Sequence, residues 1–327
     1  MGGLMFRVVL LIHIQCLGLA AAPIVLYRRR ELRPSNQANK TALLENLIAH
    51  YVRLIPEGPA VSRPPVQSPF NFRNHTLNEL NFLDCMSILS VQVNLRPASI
   101  YIHTNIPRSS GHWPNTSCNR WITDWSNLHL IPINLKHTTA GQKIKDIQHE
   151  ADIAKLEAVY KYGGLALDFD VYILNGELLR HKLATTPCLS CHEDPGEGND
   201  KINAGFLGCL EPHAEFPGRV LDVYKKDFRP NEWVYNSGEQ PFWIMVEHPH
   251  IVTLDDNVCV EPEWLNRHME LYENNKWQNM TAYHSYFHMF PGAFNQEDFE
   301  RTQIILLSDM IRWFAAKVGI HIPINYA

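Results

Sequence analysis

The segment from residue 146 to residue 174 constrains the fold most, because two glycines join a long helical pattern to an apolar strand. Asp146–Tyr162 has an apolar stripe at helical spacing, formed by Ile147, Ala151, Ala154, Ala158, Val159 and Tyr162. Gly163-Gly164 ends the helix, and Leu165–Leu174 is apolar enough for a buried strand. A helix that leads directly into a buried strand is typical of α/β proteins.

The rest of the chain continues this alternation. The other predicted elements are strands at Ser99–His103 and Leu128–Ile133, a helix near residues 77–91 with Asn74 or Thr76 as N-cap, and a last helix at about 296–318. Hydrophobic residues make up 45% of the chain, which is enough for a large core. We therefore predict a single α/β domain over residues 70–327.

The first 69 residues carry an apolar span and a proline-rich stretch. Residues 8–27 are predominantly apolar, and 20 residues suffice to cross about 30 Å of hydrocarbon. They are either a single-pass signal anchor, or Val8–Leu19 is the apolar core of a signal peptide cleaved near Ala20-Ala21-Ala22. Residues 28–69 hold a short helical pattern at Thr41–Ile55 and then several prolines, which favour an extended tether. We expect an anchor or signal segment at 1–27 and a stem at 28–69.

Cysteines and glycosylation sequons indicate the secretory pathway. Arginines after the apolar span favour a cytoplasmic C-terminal side, but four N-x-S/T sequons, at Asn39, Asn74, Asn115 and Asn279, favour a lumen. Outside the span there are six cysteines, Cys85, Cys118, Cys188, Cys191, Cys209 and Cys259. An even number predicts up to three disulfides with open connectivity, and it favours a disulfide over zinc at Cys188-x-x-Cys191. We expect a Golgi membrane protein with a luminal domain, or a secreted one.

The overall charge excludes one class of partner. The chain has 29 lysines and arginines against 34 aspartates and glutamates, which gives a net charge of −5. A weakly acidic chain lacks the basic surface that DNA and RNA require. We therefore expect no nucleic-acid partner.

Asp168 and Asp170 lie inside an apolar run and need a compensating charge. Strand side chains alternate between faces, so both carboxylates are expected to point the same way. A hard divalent cation between them would relieve their repulsion, and such a cation neutralises a diphosphate leaving group. The simpler interpretation is that the pair only caps a strand. The apolar residues Val171–Leu174 that follow the pair argue against it, because strands disfavour aspartate.

These residues resemble the signature of a known family. The sequence contains an aspartate on a helix, a basic residue three positions later, a Tyr-Gly-Gly turn and a D-x-D, namely Asp152, Lys155, Tyr162-Gly163-Gly164 and Asp168-Phe169-Asp170. This pattern resembles that of the D-x-D-containing glycosyltransferases related to α-1,4-galactosyltransferase and α-1,4-N-acetylglucosaminyltransferase. Later segments that look like family landmarks are Asn203–His213, Tyr235–Pro241 and Ala282–His288. The family usually has Ser-Asp and an arginine where this chain has Ala151-Asp152 and Lys155.

The resemblance implies a GT-A fold, which is a Rossmann-like nucleotide-sugar-binding domain, and a retaining reaction that depends on Mn²⁺ or Mg²⁺. The enzyme would move a hexose or an N-acetylhexosamine, from a UDP-sugar in the first instance, to a glycan or glycolipid acceptor. The N-terminal segment would provide the contact with the membrane. The implied metal residues are Asp170, Asp168 and His284, and the implied donor or acceptor contacts are Asp152, Lys155, Asn203 and Glu239.

Two alternative functions remain, and the reaction itself could use a covalent nucleophile or front-side attack. An inactive glycan-binding relative of the same fold would not need to keep both Asp168 and Asp170. A glycoside hydrolase would place two carboxylates about 5–9 Å apart and would need no metal. Glu239 is the carboxylate that remains as a covalent nucleophile once Asp152, Asp168 and Asp170 are assigned to metal and donor. We therefore expect front-side attack, in which the departing phosphate oxygen takes the acceptor's proton.

Overall fold

The computed structural model describes residues 35–56, 80–106, 126–193, 200–259, 276–285 and 305–322. The strands in these ranges are β1 (Ile48–Arg53), β2 (Ser99–Thr104), β3 (Leu128–Pro132), β4 (Thr138–Thr139), β5 (Gln142–Lys143), β6 (Gly164–Leu167), β7 (Val171–Ile173), β8 (Leu189–Ser190), β9 (Phe206–Cys209), β10 (Thr253–Leu254) and β11 (Ala282–His284). The helices are α1 (Ser35–Glu45), α2 (Phe82–Ser90), α3 (Ile147–Tyr162), α4 (Gly176–Thr185), α5 (Glu215–Lys226), α6 (Gln240–Glu247) and α7 (Ile305–Ala316). Helices and strands are interleaved along the chain, so the predicted α/β class is confirmed.

A seven-stranded sheet has the order β10-β8-β9-β6-β1-β2-β3. β6, β1, β2 and β3 are parallel neighbours, whereas β9 runs antiparallel to both β6 and β8. The predicted strands near 99–103 and 128–133 are confirmed as β2 and β3. Because Leu167 pairs with Phe206, the residues that follow β6 meet the residues that precede β9. Asp168 accordingly donates its backbone N–H to the Gly205 carbonyl at 2.9 Å.

The prediction of a stem over residues 28–69 is wrong for residues 35–53. These residues form α1 and β1, and β1 lies between β6 and β2 in the middle of the sheet. The helix predicted over Thr41–Ile55 ends at Glu45, because Leu47, Ala49 and Tyr51 alternate into the core and each is at most 1% exposed. The domain therefore starts before residue 70. Residues 1–34 and 57–69 lie outside the described residues.

The helix and glycine turn predicted over 146–164 are confirmed. α3 ends at Tyr162, and Gly163 and Gly164 follow with φ of +69° and +100°. A Cβ on Gly164 would lie 2.3 Å from the Ile48 carbonyl oxygen, so only glycine lets β6 approach β1 this closely. His50 of β1 donates from Nε2 to the Gly163 carbonyl at 2.8 Å, which fixes the end of α3 to the sheet.

The single strand predicted over Leu165–Leu174 is two strands. β6 ends at Leu167, Asp168–Asp170 form a turn, and β7 starts at Val171. Strand alternation is therefore not what brings the two carboxylates together. β7 leaves the large sheet and pairs antiparallel with β11, so that Val171 faces His284. The turn thus carries the aspartates to the strand that holds this histidine.

Hydrophobic clusters cover both sides of the large sheet. One contains residues of α2, β7, β11 and α7, and the other contains residues of α3, α5 and α6. α2 begins at Phe82. Its N-cap is Asn81, which forms a capping box with Asp84, so the N-cap is not one of the two predicted residues. Asn74 and Thr76, the predicted caps, lie outside the described residues. The last predicted helix is confirmed over Ile305–Ala316, and residues 296–304 are outside that description.

Two disulfides crosslink the chain around β8 and β9. Cys188 is bonded to Cys209, Cys191 is bonded to Cys259, and Cys85 is also disulfide-bonded. The predicted disulfide state of Cys188 and Cys191 is confirmed, and it is typical of an oxidising secretory or extracellular environment. Among the described residues no helix is both long and apolar enough to span a bilayer. The apolar residues 8–27 lie outside them.

Candidate active site

Three side chains converge where β6 ends. Asp168 and Asp170 come from the turn after β6, and His284 comes from the end of β11, which pairs with β7. One ligand atom from each residue lies within 4.8 Å of the other two. Two carboxylates and an imidazole are ligands for Mn²⁺ and related divalent ions. The sequence prediction that these three residues could hold a metal ion therefore agrees with their positions.

His284 and Asp170 form a buried pair. His284 Nε2 lies 3.1 Å from Asp170 Oδ1, and Ser285 donates its backbone N–H to the Asp170 carbonyl at 2.9 Å. Burial lowers the pKa of His284, but the charge of Asp170 and the hydrogen bond to it outweigh burial and raise that pKa. The same negative charge that stabilises a protonated imidazole also favours a bound cation.

Lys155 lies between Asp152 and Asp168 and contacts both carboxylates. Its Nζ donates to Asp168 Oδ1 at 2.7 Å and to the Ala204 carbonyl at 2.8 Å, and it lies 3.0 Å from Asp152 Oδ1. Burial lowers the pKa of Lys155, but the charges of Asp168 and Asp152 and the hydrogen bonds to them raise it above its ordinary value. Lys155 is therefore a permanent positive charge, and its side chain is 7% exposed.

Asn203 connects this site to a carboxylate that the sequence analysis did not single out. Asn203 Nδ2 donates to Glu193 Oε2 at 2.8 Å and lies 3.3 Å from His284 Nδ1, while Asn203 Oδ1 accepts from the Gly205 N–H at 2.7 Å. Burial raises the pKa of Glu193, although the charge of His284 acts in the opposite direction. Glu193 follows β8 without any local motif, so only the tertiary structure reveals its place here.

Glu239 is the candidate that the structure does not tie to this network. It ends a π-helical turn, Tyr235–Glu239, and is half-buried. That turn is joined to the site through the Ile202 N–H, which donates to the Gly238 carbonyl at 3.1 Å. The hydrogen bonds and ion pairs described above link Asp152, Lys155, Asp168, Asp170, Asn203 and His284, and Glu239 takes part in none of them.

Gly205 is required by the close approach of the site residues. A Cβ at this position would lie 2.9 Å from Asn203 Oδ1, 2.9 Å from His284 Cε1 and 3.0 Å from Asp168 Oδ2. Three side chains of the candidate site therefore pack directly onto its backbone.

We expect Gly205→Ala to lower catalytic turnover roughly 100-fold, because displacing reacting groups by about 1 Å costs that much. Turnover and thermal unfolding are measured together. Gly218→Ala on α5 is the matched control, since its added Cβ meets the Tyr160 ring rather than a site residue. A G205A variant with the wild-type rate would show that these side chains need not be so close.

Comparison with known proteins gives distant similarities. No family model matches the chain. "Glucan organizing enzyme 1" of Cryptococcus neoformans var. grubii is 25% identical over 266 residues, which cover 76% of this chain and 64% of the relative. This chain thus spans less than two thirds of that relative's length.

Solved structures with a similar chain course include several glycosyltransferases. The apo form of the glycosyltransferase GlyE of Streptococcus pneumoniae has a TM-score of 0.41 at 13% identity, with 84% of this chain and 64% of GlyE covered. The galactosyltransferase LgtC, in complex with donor and acceptor sugar analogues, has a TM-score of 0.42 at 12% identity, with 84% and 97% covered. Mouse xyloside xylosyltransferase 1 has a TM-score of 0.39 at 14% identity, with 73% and 97% covered.

Proposed function

We propose that this chain is a metal-dependent glycosyltransferase with a GT-A fold. It would move a hexose or N-acetylhexosamine from a nucleotide-sugar, a UDP-sugar in the first instance, to a glycan or glycolipid acceptor. The observation that carries the proposal is the cluster of Asp168, Asp170 and His284 beside Lys155 at the carboxyl end of β6. Open α/β sheets usually bind ligands at this edge.

The residues present fit a divalent ion such as Mn²⁺ or Mg²⁺. Asp168, Asp170 and His284 would hold it, and His284 and Asp170 are only 4% and 7% exposed. When bound, the ion would neutralise the charge that develops on the departing diphosphate. The carboxylates of Asp168 and Asp170 would attract such a cation, and His284 would bind it as a neutral imidazole.

The other residues have roles that follow from their contacts. Lys155 stays charged and would stabilise the diphosphate, while its contacts with Asp152 and Asp168 hold it in position. Asp152 would accept hydrogen bonds from the donor sugar. Asn203, fixed by Glu193 and by the Gly205 N–H, would orient His284 and face the donor.

The compartment is part of the proposal. The disulfides at Cys188–Cys209 and Cys191–Cys259 support a luminal or extracellular catalytic domain. Residues 8–27 would anchor the chain in the Golgi membrane, or would be removed from a secreted form. A luminal domain would meet glycan and glycolipid acceptors during their assembly.

The reaction is proposed to retain the anomeric configuration through front-side attack. Asp152 and Asp168 both form ion pairs with Lys155, and Asp170 is paired with His284. None of these three carboxylates is therefore proposed as the nucleophile. The departing phosphate oxygen would take the acceptor's proton as the new glycosidic bond forms. No covalent intermediate is then needed.

Glu239→Gln should lower turnover less than about tenfold, because Glu239 would only position donor or acceptor and would not attack the sugar. The measurement is steady-state turnover together with intact-protein mass spectrometry after incubation with donor. A glycosyl adduct on Glu239 in the wild type would overturn front-side attack. An inverted product anomer would overturn retention itself.

The proposed function is tested by a donor screen on the full chain. UDP- and GDP-sugars are incubated with the protein and Mn²⁺, and release of the nucleoside diphosphate is measured with and without a mixed glycan acceptor panel. We expect release from at least one donor, loss of release with EDTA and recovery with added Mn²⁺. Absence of release and of binding for every donor would favour an inactive glycan-binding protein, and EDTA-resistant cleavage of glycosides would favour a hydrolase.

A further inference from the structure

A small cavity lies between α3 and α5, directly behind the proposed donor site. Its volume is about 30 Å³. Asp152, Lys155, Asn203 and Ala204 line it on the side of the metal cluster, and Ser237 and Pro241 line it beside the Glu239 turn. The cavity is therefore continuous with residues that would hold the donor sugar.

The deeper walls of this α3–α5 cavity are apolar. They consist of Leu156, Ala166, Ile202, Leu207, Phe216 and Val220, together with Ser190, whose hydroxyl already donates to the Phe206 carbonyl at 2.8 Å. A cavity of about 10–15 Å³ already holds one water molecule. The space behind Asp152 therefore suits a group of two or three non-hydrogen atoms with an apolar end.

α5 contributes one polar side chain to the lining of this cavity. Tyr224 of α5 lines the cavity and is 1% exposed, and its hydroxyl has no hydrogen-bond partner among the described residues. Burial, and then the charge of Asp152, raise the pKa of Tyr224, so the hydroxyl keeps its proton and acts as a donor. A buried hydroxyl that lacks an acceptor costs free energy. A ligand with a carbonyl oxygen at this place would therefore bind more tightly than one without it.

We propose that the α3–α5 cavity receives the acetyl part of the donor's acetamido group, which has three non-hydrogen atoms. The transferred sugar is then an N-acetylhexosamine. This inference rests on the proposed function. The amide N–H would donate to Asp152, the carbonyl oxygen would accept from the Tyr224 hydroxyl, and the methyl group would pack on Val220 and Phe216. Each polar atom of the substituent then has a partner, and the apolar end has an apolar wall.

A plain hexose leaves this arrangement incomplete. Its 2-hydroxyl reaches Asp152, but it has no carbonyl for Tyr224 and no methyl for the apolar walls. Sites built to hydrogen-bond a group discriminate strongly against analogues that lack it. We therefore expect turnover with an N-acetylated donor to exceed that with the matching hexose donor by at least about tenfold.

The test compares donors that differ only in the acetamido group. Mn²⁺-dependent release of UDP by the full chain is measured for UDP-N-acetylglucosamine against UDP-glucose and for UDP-N-acetylgalactosamine against UDP-galactose. Tyr224→Phe removes only the hydroxyl and should lower the preference for the N-acetylated member roughly tenfold. Val220→Leu adds bulk to the apolar wall and should lower the same preference by a second route.

Binding of UDP alone by calorimetry shows whether each variant retains a folded nucleotide site. A wild-type preference for hexose donors, or a preference for N-acetylated donors that neither variant changes, would overturn the acetamido assignment. The second result would mean that water occupies the cavity. In both cases metal-dependent release of UDP would leave the proposed glycosyltransferase function standing, whereas failure of every donor to bind would overturn both.

Discussion

Asp170→Asn is expected to abolish sugar transfer, with a fall in turnover of roughly 10²–10³-fold or more. The substitution keeps the size of the side chain but removes the charge of one of the three clustered residues that would hold the metal ion. The fold should remain, because the backbone carbonyl of residue 170 keeps its hydrogen bond from the Ser285 N–H. The measurement is turnover of the donor found in the screen, at several concentrations of Mn²⁺.

Asp222→Asn is the matched control for this variant. Asp222 is an exposed aspartate on α5, 3.3 Å from Lys225 and outside the proposed site. It should retain wild-type turnover. Secretion and thermal unfolding are followed for both variants, so that loss of activity is separated from loss of folding. An Asp170→Asn enzyme with near-wild-type turnover that still requires metal would exclude Asp170 as a ligand.

Lys155→Met should lower turnover by at least about 100-fold, because it removes the positive charge nearest to the proposed diphosphate. It should also lower the free energy of unfolding by roughly 2–3 kcal/mol, since Asp152 and Asp168 lose a shared partner. This value is below that for a fully buried pair because the Asp168 side chain is 40% exposed. Turnover and chemical denaturation are the two measurements.

Lys155→Arg is the conservative comparison. Arginine keeps the charge and can still donate to both carboxylates, and it is the usual residue here in the family that the sequence resembles. We expect turnover within about tenfold of wild type and a smaller loss of stability. If the methionine variant were as active as the arginine variant, Lys155 would have a structural role only.

The central segment could be predicted because its patterns are local. The stripe of α3 repeats at helical spacing, Gly163 and Gly164 end it, and β6 is a short apolar run. These features depend on neighbouring residues, so a single sequence reveals them. The strands β2 and β3 could be predicted for the same reason.

Other elements depend on contacts between distant residues. β1 was hidden because a short alternation at Leu47, Ala49 and Tyr51 follows directly after a helical pattern, and its partners β2 and β6 are far along the chain. In the sequence, Asp168–Asp170 are indistinguishable from the middle of one strand. The turn arises because β7 pairs with β11 and not with the large sheet. Strand pairing is not encoded in a local period.

The candidate site likewise contains residues that a local sequence pattern reveals and residues that only the fold reveals. Asp168 and Asp170 stand out because charge is unusual within an apolar run, whereas only the family resemblance indicates His284, Asp152 and Lys155. Glu193 and Tyr224 have no such signal. Each matters only because folding places it against Asn203 or beside Asp152.

The proposed metal-dependent donor site is tested most directly by calorimetric titration of a UDP-sugar into the full chain, once with Mn²⁺ and once with EDTA. We expect Mn²⁺ to increase the affinity for the UDP-sugar at least about tenfold in the wild type, and Asp170→Asn to lose this gain. Equal affinity with and without the ion in the wild type would contradict a metal-dependent donor site formed by Asp168, Asp170 and His284.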